Sequence, residues 1–540
     1  MKETFRASMA WLHTWAGLLL GWVLYFMFVT GTAGYLDTEV DRWMQPELPP
    51  VAQAVEPAPA AEKALASLAQ RAPQADRWFI GLPTGREALH LSIFWQAGRG
   101  PQADGDLELD AATGAPLASL GARATGGGQF LYQMHWQLHY LPRAVSDWLV
   151  GVAAMFMLVA LITGIVVHKK IFADFFTFRP GKGQRSWLDA HNVMSVLTLP
   201  FQLMITWSGL VFMMFVYLPL VVSAHYAPDA ATGKSGREVF FNETFEGGLH
   251  LERAGRPAPL APLQPMLALA EARWGAGKLS RIDIRYPGDA NARVVLRARE
   301  DLSPLSSGET LVFDGTNGAL LHVLPAVGST PKAVRDVLLG LHEGLYAGPL
   351  LRGLYVLSGL MGAAMIATGL VLWAVKRRQR AAKAGRVHGG LWLVERLNVG
   401  GIIGLPVGIA AYFWANRLLP LTLSDRAAWE AHVLFFVWAA LLLHAALRPV
   451  ARAWSEQATV AALAFGLLPV LNALTTHRHL GASLPQGDWV MAGFDLAMLA
   501  LGAVFAGLAR HLVRKARNAA RQSASATLMT VEASTVGATR

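Results

Sequence analysis

The chain has 540 residues, 53% of them hydrophobic and only 16% charged, with a mean hydropathy of +0.35; that composition belongs to a polytopic membrane protein and not to a large soluble enzyme. The absence of cysteine excludes thiolate-held iron–sulfur clusters, covalently attached c-type haem, disulfides and Cys nucleophiles. The net charge of +10 does not point to nucleic acid, because Lys and Arg gather beside the ends of apolar runs, where the positive-inside rule places them.

The first segment, residues 1–36, opens with a short basic stretch. From Ala7 to Leu36 it carries no Asp, Glu, Lys or Arg. That run is long enough to cross a bilayer, exceeds a signal-peptide core and shows no small-x-small cleavage site. It reads as a retained anchor with a cytoplasmic N-terminus. Its motif Trp11-Leu12-His13-Thr14-Trp15-Ala16-Gly17 sets His13 inside the membrane near the point of entry.

Residues 37–128 are polar. A Pro/Ala-rich linker (46–59) leads to a helical pattern (62–71) and three strand-like pieces, 78–81, 88–95 and 107–117. Asp110 to Gly114 supplies a turn signal. Residues 129–222 hold two more apolar helices. The second helix of the chain spans 144–168, with Pro142 near its first turn. His135-Trp136-Gln137-Leu138-His139 precedes it and His168 ends it. The third runs from Trp187 to Val222, with Pro200 and Pro219 as kinks. It opens on Trp187-Leu188-Asp189-Ala190-His191.

Residues 223–336 repeat the polar insert in kind. A helix is expected over 263–274 and strands over 280–286, 293–299 and 310–321, with a turn at Asp314 to Gly318. Residues 337–380 carry the fourth helix (350–375), approached by Leu341-His342. Four further apolar segments fill residues 381–520, at about 397–416, 429–447, 458–475 and 489–509. The Ser/Ala/Thr-rich residues 521–540 read as a disordered tail. On an eight-helix count the basic runs fall on one side and both inserts on the other. This puts both termini in the cytoplasm and both inserts outside it.

The first 380 residues are an internal duplication. His13 precedes Thr30-Gly31 as His191 precedes Ser208-Gly209, 18 residues to each glycine. Leu138-His139 precedes Thr163-Gly164 much as Leu341-His342 precedes Thr368-Gly369. Intramembrane ionisable residues are costly and therefore functional candidates. Six histidines lie at two levels: His13, His191 and His168 at the cytoplasmic end, His135, His139 and His342 at the opposite end. Two stacked haems, each held by imidazoles from two helices, need such an arrangement. The repeat pairs His13 with His191 and His139 with His342, with His168 and His135 as rivals. His432 and His444 are 12 residues apart on one helix and out of register, so a third site there is disfavoured. Glu430 and Asp495 read as polar contacts between helices.

These motifs resemble the PepSY-associated transmembrane helix family, which includes di-haem ferric-siderophore reductases of the bacterial inner membrane. The resemblance covers about 70% of the chain. It implies an all-α polytopic protein of about eight transmembrane helices with two small α+β PepSY-like periplasmic inserts. It further implies two b-type haems on His13, His191, His139 and His342, and reduction of a periplasmic ferric siderophore or other ferric chelate. No Gly-rich dinucleotide fingerprint follows a strand in the cytoplasmic loops, so the donor is expected to be a cytoplasmic electron carrier or a quinol. The partners are then the chelate, the donor and the lipid bilayer, with no nucleic acid. Two other classes compete. One is a non-redox membrane protein whose periplasmic modules bind or regulate another protein. The other is an iron or siderophore transporter using the extra helices.

Overall fold

The computed structural model describes residues 4–48, 55–86, 89–98, 103–168, 171, 177–217, 222, 224–230, 233, 235–236, 238–240, 251–305, 307–328 and 330–537. Among them, six helices are long and apolar enough to cross a membrane, and two bent helix pairs bring the number to eight if each pair is one span. The first pair is α1 (Phe5–Leu19) and α2 (Gly21–Gly34), bent by 62°. The expected straight helix over 8–36 is thus broken. Gly21 sits where a Cβ would lie 2.7 Å from the Leu370 side chain, so a neighbouring helix crosses the bend closely. The second pair is α7 (Gln184–Leu197) and α8 (Leu199–Phe212), bent by 68°. Pro200 lies in the first turn of α8; it lacks the N–H that a continuous helix would use and clashes with the preceding turn. The expected kink at Pro219 lies outside the described residues.

Between and after these pairs come α3 (Asp37–Met44), α5 (Gly127–Trp136), α6 (Arg143–Val167), α10 (Thr330–Glu343) and α11 (Pro349–Ala384). The duplication shows in their packing. α1 lies on α6 as α7 lies on α11; α2 lies on α5 as α8 lies on α10; α2 meets α11 as α8 meets α6.

The two polar inserts do not form two separate modules. Their strands join in one seven-stranded antiparallel sheet of order β3-β2-β1-β4-β5-β6-β7. The first insert supplies β1 (Arg77–Gly81), β2 (Leu91–Gln96) and β3 (Gly105–Leu109). The second supplies β4 (Leu279–Arg285), β5 (Arg293–Ala298), β6 (Thr310–Asp314) and β7 (Leu320–Leu324). The seam is β1 against β4, with Phe79 opposite Asp283. Helices α4 (Pro57–Arg71) and α9 (Gln264–Trp274) cover one face. They bury Ala60, Ala64, Leu68, Met266, Leu267 and Ala270 against Trp78, Ile80, Ile282, Ile284, Val294 and Leu296. In both inserts the expected turn is built alike. Asp110 Oδ1 accepts from Thr113 N (2.6 Å), and Asp314 Oδ1 from Thr316 N (2.9 Å). Gly114 and Gly318 take φ of +75° and +77°, a region glycine enters without steric cost.

Besides two four-residue helices, Met214–Tyr217 and Leu480–Ser483, the remaining described helices are α12 (Gly389–Ile402), α13 (Gly404–Leu418), α14 (Arg426–Leu447), α15 (Val450–Gly466), α16 (Leu468–Thr475) and α17 (Trp489–Gly537). The last runs through the segment expected to be unstructured. Ala, the strongest helix former, recurs along it. These helices dock on the duplicated half through buried polar groups. Trp22 Nε1 donates to Asn398 Oδ1 (3.1 Å), and Asn398 Nδ2 donates to the Leu370 carbonyl (3.1 Å). As expected, Asp495 links helices, accepting from Trp43 Nε1 (2.9 Å) and Asn472 Nδ2 (3.0 Å).

Candidate functional site

Four histidines from four helices meet in two pairs. His13 on α1 and His191 on α7 have ring centres 6.3 Å apart. His135 on α5 and His342 on α10 have ring centres 6.0 Å apart. The first pair is the one the repeat predicts. The second replaces His139 by His135. His139 lies past the end of α5, in the turn before Pro142, exposed among Phe130, Tyr140 and Phe435. The matched Leu-His dipeptides misaligned the repeat. The physical equivalence is helix position, since His135 and His342 are each the penultimate residue of their helix.

Each imidazole is fixed in the same way. His13 Nδ1 is 2.9 Å from the Ala160 carbonyl, His135 Nδ1 2.8 Å from that of Met27, and His191 Nδ1 2.8 Å from that of Met365. His342 Nδ1 is 3.0 Å from Ser208 Oγ. The three carbonyls each lie four residues before the glycine of a Thr-Gly pair, Gly164, Gly31 and Gly369, and Ser208 immediately precedes Gly209. A carbonyl only accepts, so Nδ1 carries the proton and Nε2 keeps its lone pair. Ser208 Oγ donates to the Met204 carbonyl (2.6 Å) and is left to accept. This backbone anchoring is the usual outer-shell partner of a metal-ligating histidine. Among the described residues, Nε2 of these four makes no hydrogen bond.

The glycines make room. A Cβ at Gly31 would lie 2.5 Å from His135 Nδ1; one at Gly209 would lie 3.0 Å from His342 Cε1. At Gly369 and Gly164 the clearances to Cε1 of His191 and His13 are 3.1 and 3.2 Å. These four glycines are therefore packed directly against the rings.

The pair His135–His342 faces a cavity of about 890 Å³ lined mainly by apolar groups, among them Met27, Val150, Met157, Phe201, Phe212 and Met213. Arg143, Asp147, Arg281 and Glu343 stand in its wall as well. Ala154 and Gly359 line this cavity, ten residues before Gly164 and Gly369. That spacing puts about 15 Å of helix between the two levels.

Among the described residues no group of three or more His, Asp or Glu could hold a metal ion. A bare cation would find two ligands in each pair and nothing more. Two imidazoles on opposite sides of one metal need about 2.0–2.1 Å per bond plus the ring radius, close to the centre-to-centre distances observed. The donor sets thus fit a planar macrocycle that brings its own equatorial ligands, and b-type haem suits two neutral imidazoles.

The rival and minor histidines lie elsewhere. His168 caps α6, and its Nε2 is buried without a hydrogen-bond partner. His432 Nδ1 bonds the Tyr140 hydroxyl (2.6 Å), whereas His444 Nε2 bonds Glu456 (2.9 Å); the two share no site.

The sequence did not reveal how the helices after the duplicated half serve this arrangement. The loop before α5 is gripped by them. Arg123 donates to the Asn416 carbonyl (2.6 Å), Arg426 to the Ala124 carbonyl (2.8 Å), and the Tyr412 hydroxyl to the Gly127 carbonyl (2.9 Å). Glu430, fully buried and paired with Arg426, accepts from Thr125 (2.5 Å) and Asn416 (2.8 Å). A buried Arg followed by Glu at i+4 was the available signal.

The family described as the PepSY-associated TM region matches residues 10–376. A curated relative, an uncharacterised protein of Pseudomonas aeruginosa, is 26% identical over 400 residues, covering 69% of this chain and 91% of its own length.

Proposed function

The chain belongs to the PepSY-associated TM family, and we propose that it is a haem-bearing transmembrane reductase of ferric chelates. One b-type haem is assigned to His13 and His191, the other to His135 and His342. The observation that carries this reading is one device recurring at four imidazoles: Nδ1 anchored on a neighbouring helix, by a carbonyl at three of them and by the Ser208 hydroxyl at the fourth, Nε2 without a hydrogen bond among the described residues, and a glycine under the ring. Interfacial histidines that merely meet water have no reason to share it.

Bound haem supplies a one-electron Fe(III)/Fe(II) couple at each level. The chain's own residues do the rest. The carbonyls of Ala160, Met27 and Met365 and the Ser208 hydroxyl hold the Nδ1 protons, so that each Nε2 points its lone pair away from its anchoring helix. Met27, Val150, Met157, Phe201, Phe212 and Met213 offer an apolar wall beside His135 and His342. The donor is a quinol or a reduced cytoplasmic carrier. A quinol gives up two electrons and two protons and so reduces two chelated Fe(III) to Fe(II). The acceptor is a ferric siderophore or other ferric chelate beside the sheet, whose hard oxygen ligands hold Fe(II) less tightly. The distribution of basic residues supports a cytoplasmic membrane protein with cytoplasmic termini and a periplasmic sheet.

The test is a spectrum of the purified full chain made with ample haem. A b-type band that sharpens with dithionite, two haems per chain, and reoxidation on adding a ferric chelate, with Fe(II) trapped, are expected. Colourless protein overturns the reading.

A further inference from the structure

The sheet face not covered by α4 and α9 is crowded with arginine. Arg77, Arg285 and Arg293 stand directly opposite one another across β1, β4 and β5, and Arg281 stands opposite Arg297. Like charges opposite one another across strands destabilise a sheet. Carboxylates nearby offset this. Asp283 takes Arg77 (2.8 and 2.5 Å) and lies 3.8 Å from Arg285. Asp314 lies 3.4 Å from Arg293. Arg297 has no carboxylate within ion-pair distance among the described residues. Burial pulls its guanidinium below the ordinary value, and Asp283 and Glu300 pull the other way.

Helix α10 closes this face into a cleft of about 300 Å³. Six cations line it: Arg77, Arg285, Arg293, Arg297, Lys332 and Arg335. Glu300 and Asp336 are in its wall, and Asp336 is shared by Lys332 (2.6 Å) and Arg335 (2.8 Å). Among the described residues, these six cations and two carboxylates are the charged groups lining the cleft. Val295, Val312 and Leu324 supply apolar floor. The volume is at the lower end of small-molecule sites. Guanidinium forks suit carboxylate-type oxygens.

The cleft is joined to the outer imidazole pair. Lys332 and Arg335 line it from the start of α10, and His342 lies near the end of the same helix. Seven residues separate Arg335 from His342, about 10 Å of helix. Arg281, paired in register with Arg297, lines the His135–His342 cavity. We propose that this cleft binds small polyanionic metal chelates with exposed carboxylate-type oxygens, so that the preferred acceptors are anionic ferric chelates and not neutral ones. This rests on the reductase reading for its purpose, but the binding itself needs no electron.

The experiment uses the full chain in phosphatidylcholine nanodiscs. Calorimetry measures gallium(III) citrate, which is redox-inert, against a neutral gallium(III) trihydroxamate and inorganic phosphate. Gallium citrate is expected to bind, more weakly as salt rises, and about tenfold or more weakly in Arg297→Gln and Lys332→Gln. Arg297→Lys should recover part of the loss, and an unchanged thermal midpoint shows that the variants fold. The neutral complex should not respond to either substitution. Equal affinity for citrate and trihydroxamate complexes, or variants without effect, overturns the proposal. Displacement of gallium citrate by equimolar phosphate makes it a phosphate site, and displacement by phosphatidylglycerol in the disc makes it a lipid headgroup site; both overturn it. If reduction fails while gallium citrate still binds, the reductase reading falls alone. If ferric citrate and a neutral ferric chelate are reduced with the same KM in wild type and variants, this inference falls alone.

Discussion

A methyl group at Gly31 would lie 2.5 Å from Nδ1 of His135. No real side chain makes so close an approach, so alanine here must push the ring off the Met27 carbonyl or spread α2 from α5. The four glycines grade the effect. Gly31→Ala should abolish the outer site, leaving one haem per chain where wild type holds two. Gly209→Ala at 3.0 Å should weaken it. Gly369→Ala and Gly164→Ala, at 3.1 and 3.2 Å, should shift the inner band and keep the cofactor. Haem-to-protein ratios of the four variants check this order. Equal loss in all four would show that the glycines serve helix packing and not the rings.

Substituting the imidazoles themselves separates the two candidates for the outer level. His135→Ala should remove one haem and leave the band from His13 and His191. His139→Ala should leave both bands in place, because His139 packs on Phe130 and Phe435 and not on His342. Single loss from His191→Ala, with the outer band intact, completes the assignment. The reverse pattern for His135 and His139 would refute the pairing.

The duplication and the inner pair were legible because both rest on strong periodic signals: long uncharged runs, and His and Ser/Thr-Gly at a fixed interval of 18 residues. The outer pair was not, because the match between Leu138-His139 and Leu341-His342 carries no information about where a helix ends. α5 stops at Trp136, and only a ring on that helix can reach α2. The fused sheet was also hidden. Each insert reads as complete by itself, and nothing local in β1 or β4 announces that Ile80 will lie opposite Ile282. The bend at Leu20 escaped detection for a similar reason, since the residue that packs closest on Gly21, Leu370, comes from another repeat.

Glu430, on α14, tests the role of the helices after the duplicated half. It is fully buried, and Arg426, Thr125 and Asn416 all bond it. Glu430→Ala leaves Arg426 buried and uncompensated, a change that typically costs about 3–5 kcal/mol. Glu430→Gln keeps the shape and should cost less. Because the same groups hold residues 123–127 ahead of α5, the outer band should broaden or vanish in Glu430→Ala before the inner one does. Denaturant titration followed at both bands checks the order. Simultaneous loss would mean that the cluster supports global stability alone.

Asp41 gives the pH dependence. It lies on α3, beyond the end of the first span, and its Oδ1 accepts from the Gly128 N–H at 2.7 Å. Burial pushes its carboxyl up to about 7, the Gly128 N–H opposes this, and Asp37 and Glu108 add to the rise. An unfolded Asp titrates near 3.9. The folded state therefore favours the protonated form. The stability gained from it is full below about pH 3.9, where both states are protonated. It declines as pH rises through the folded value and is gone above it. Asp41→Asn is neutral throughout and keeps an acceptor for Gly128. The thermal midpoint of wild type should fall relative to Asp41→Asn between about pH 4 and pH 7, and the two profiles should run parallel above. The outer band should weaken over the same interval, since Gly128 fixes the start of the helix that carries His135. Parallel profiles across the whole range would show that Asp41 is ionised in the folded protein.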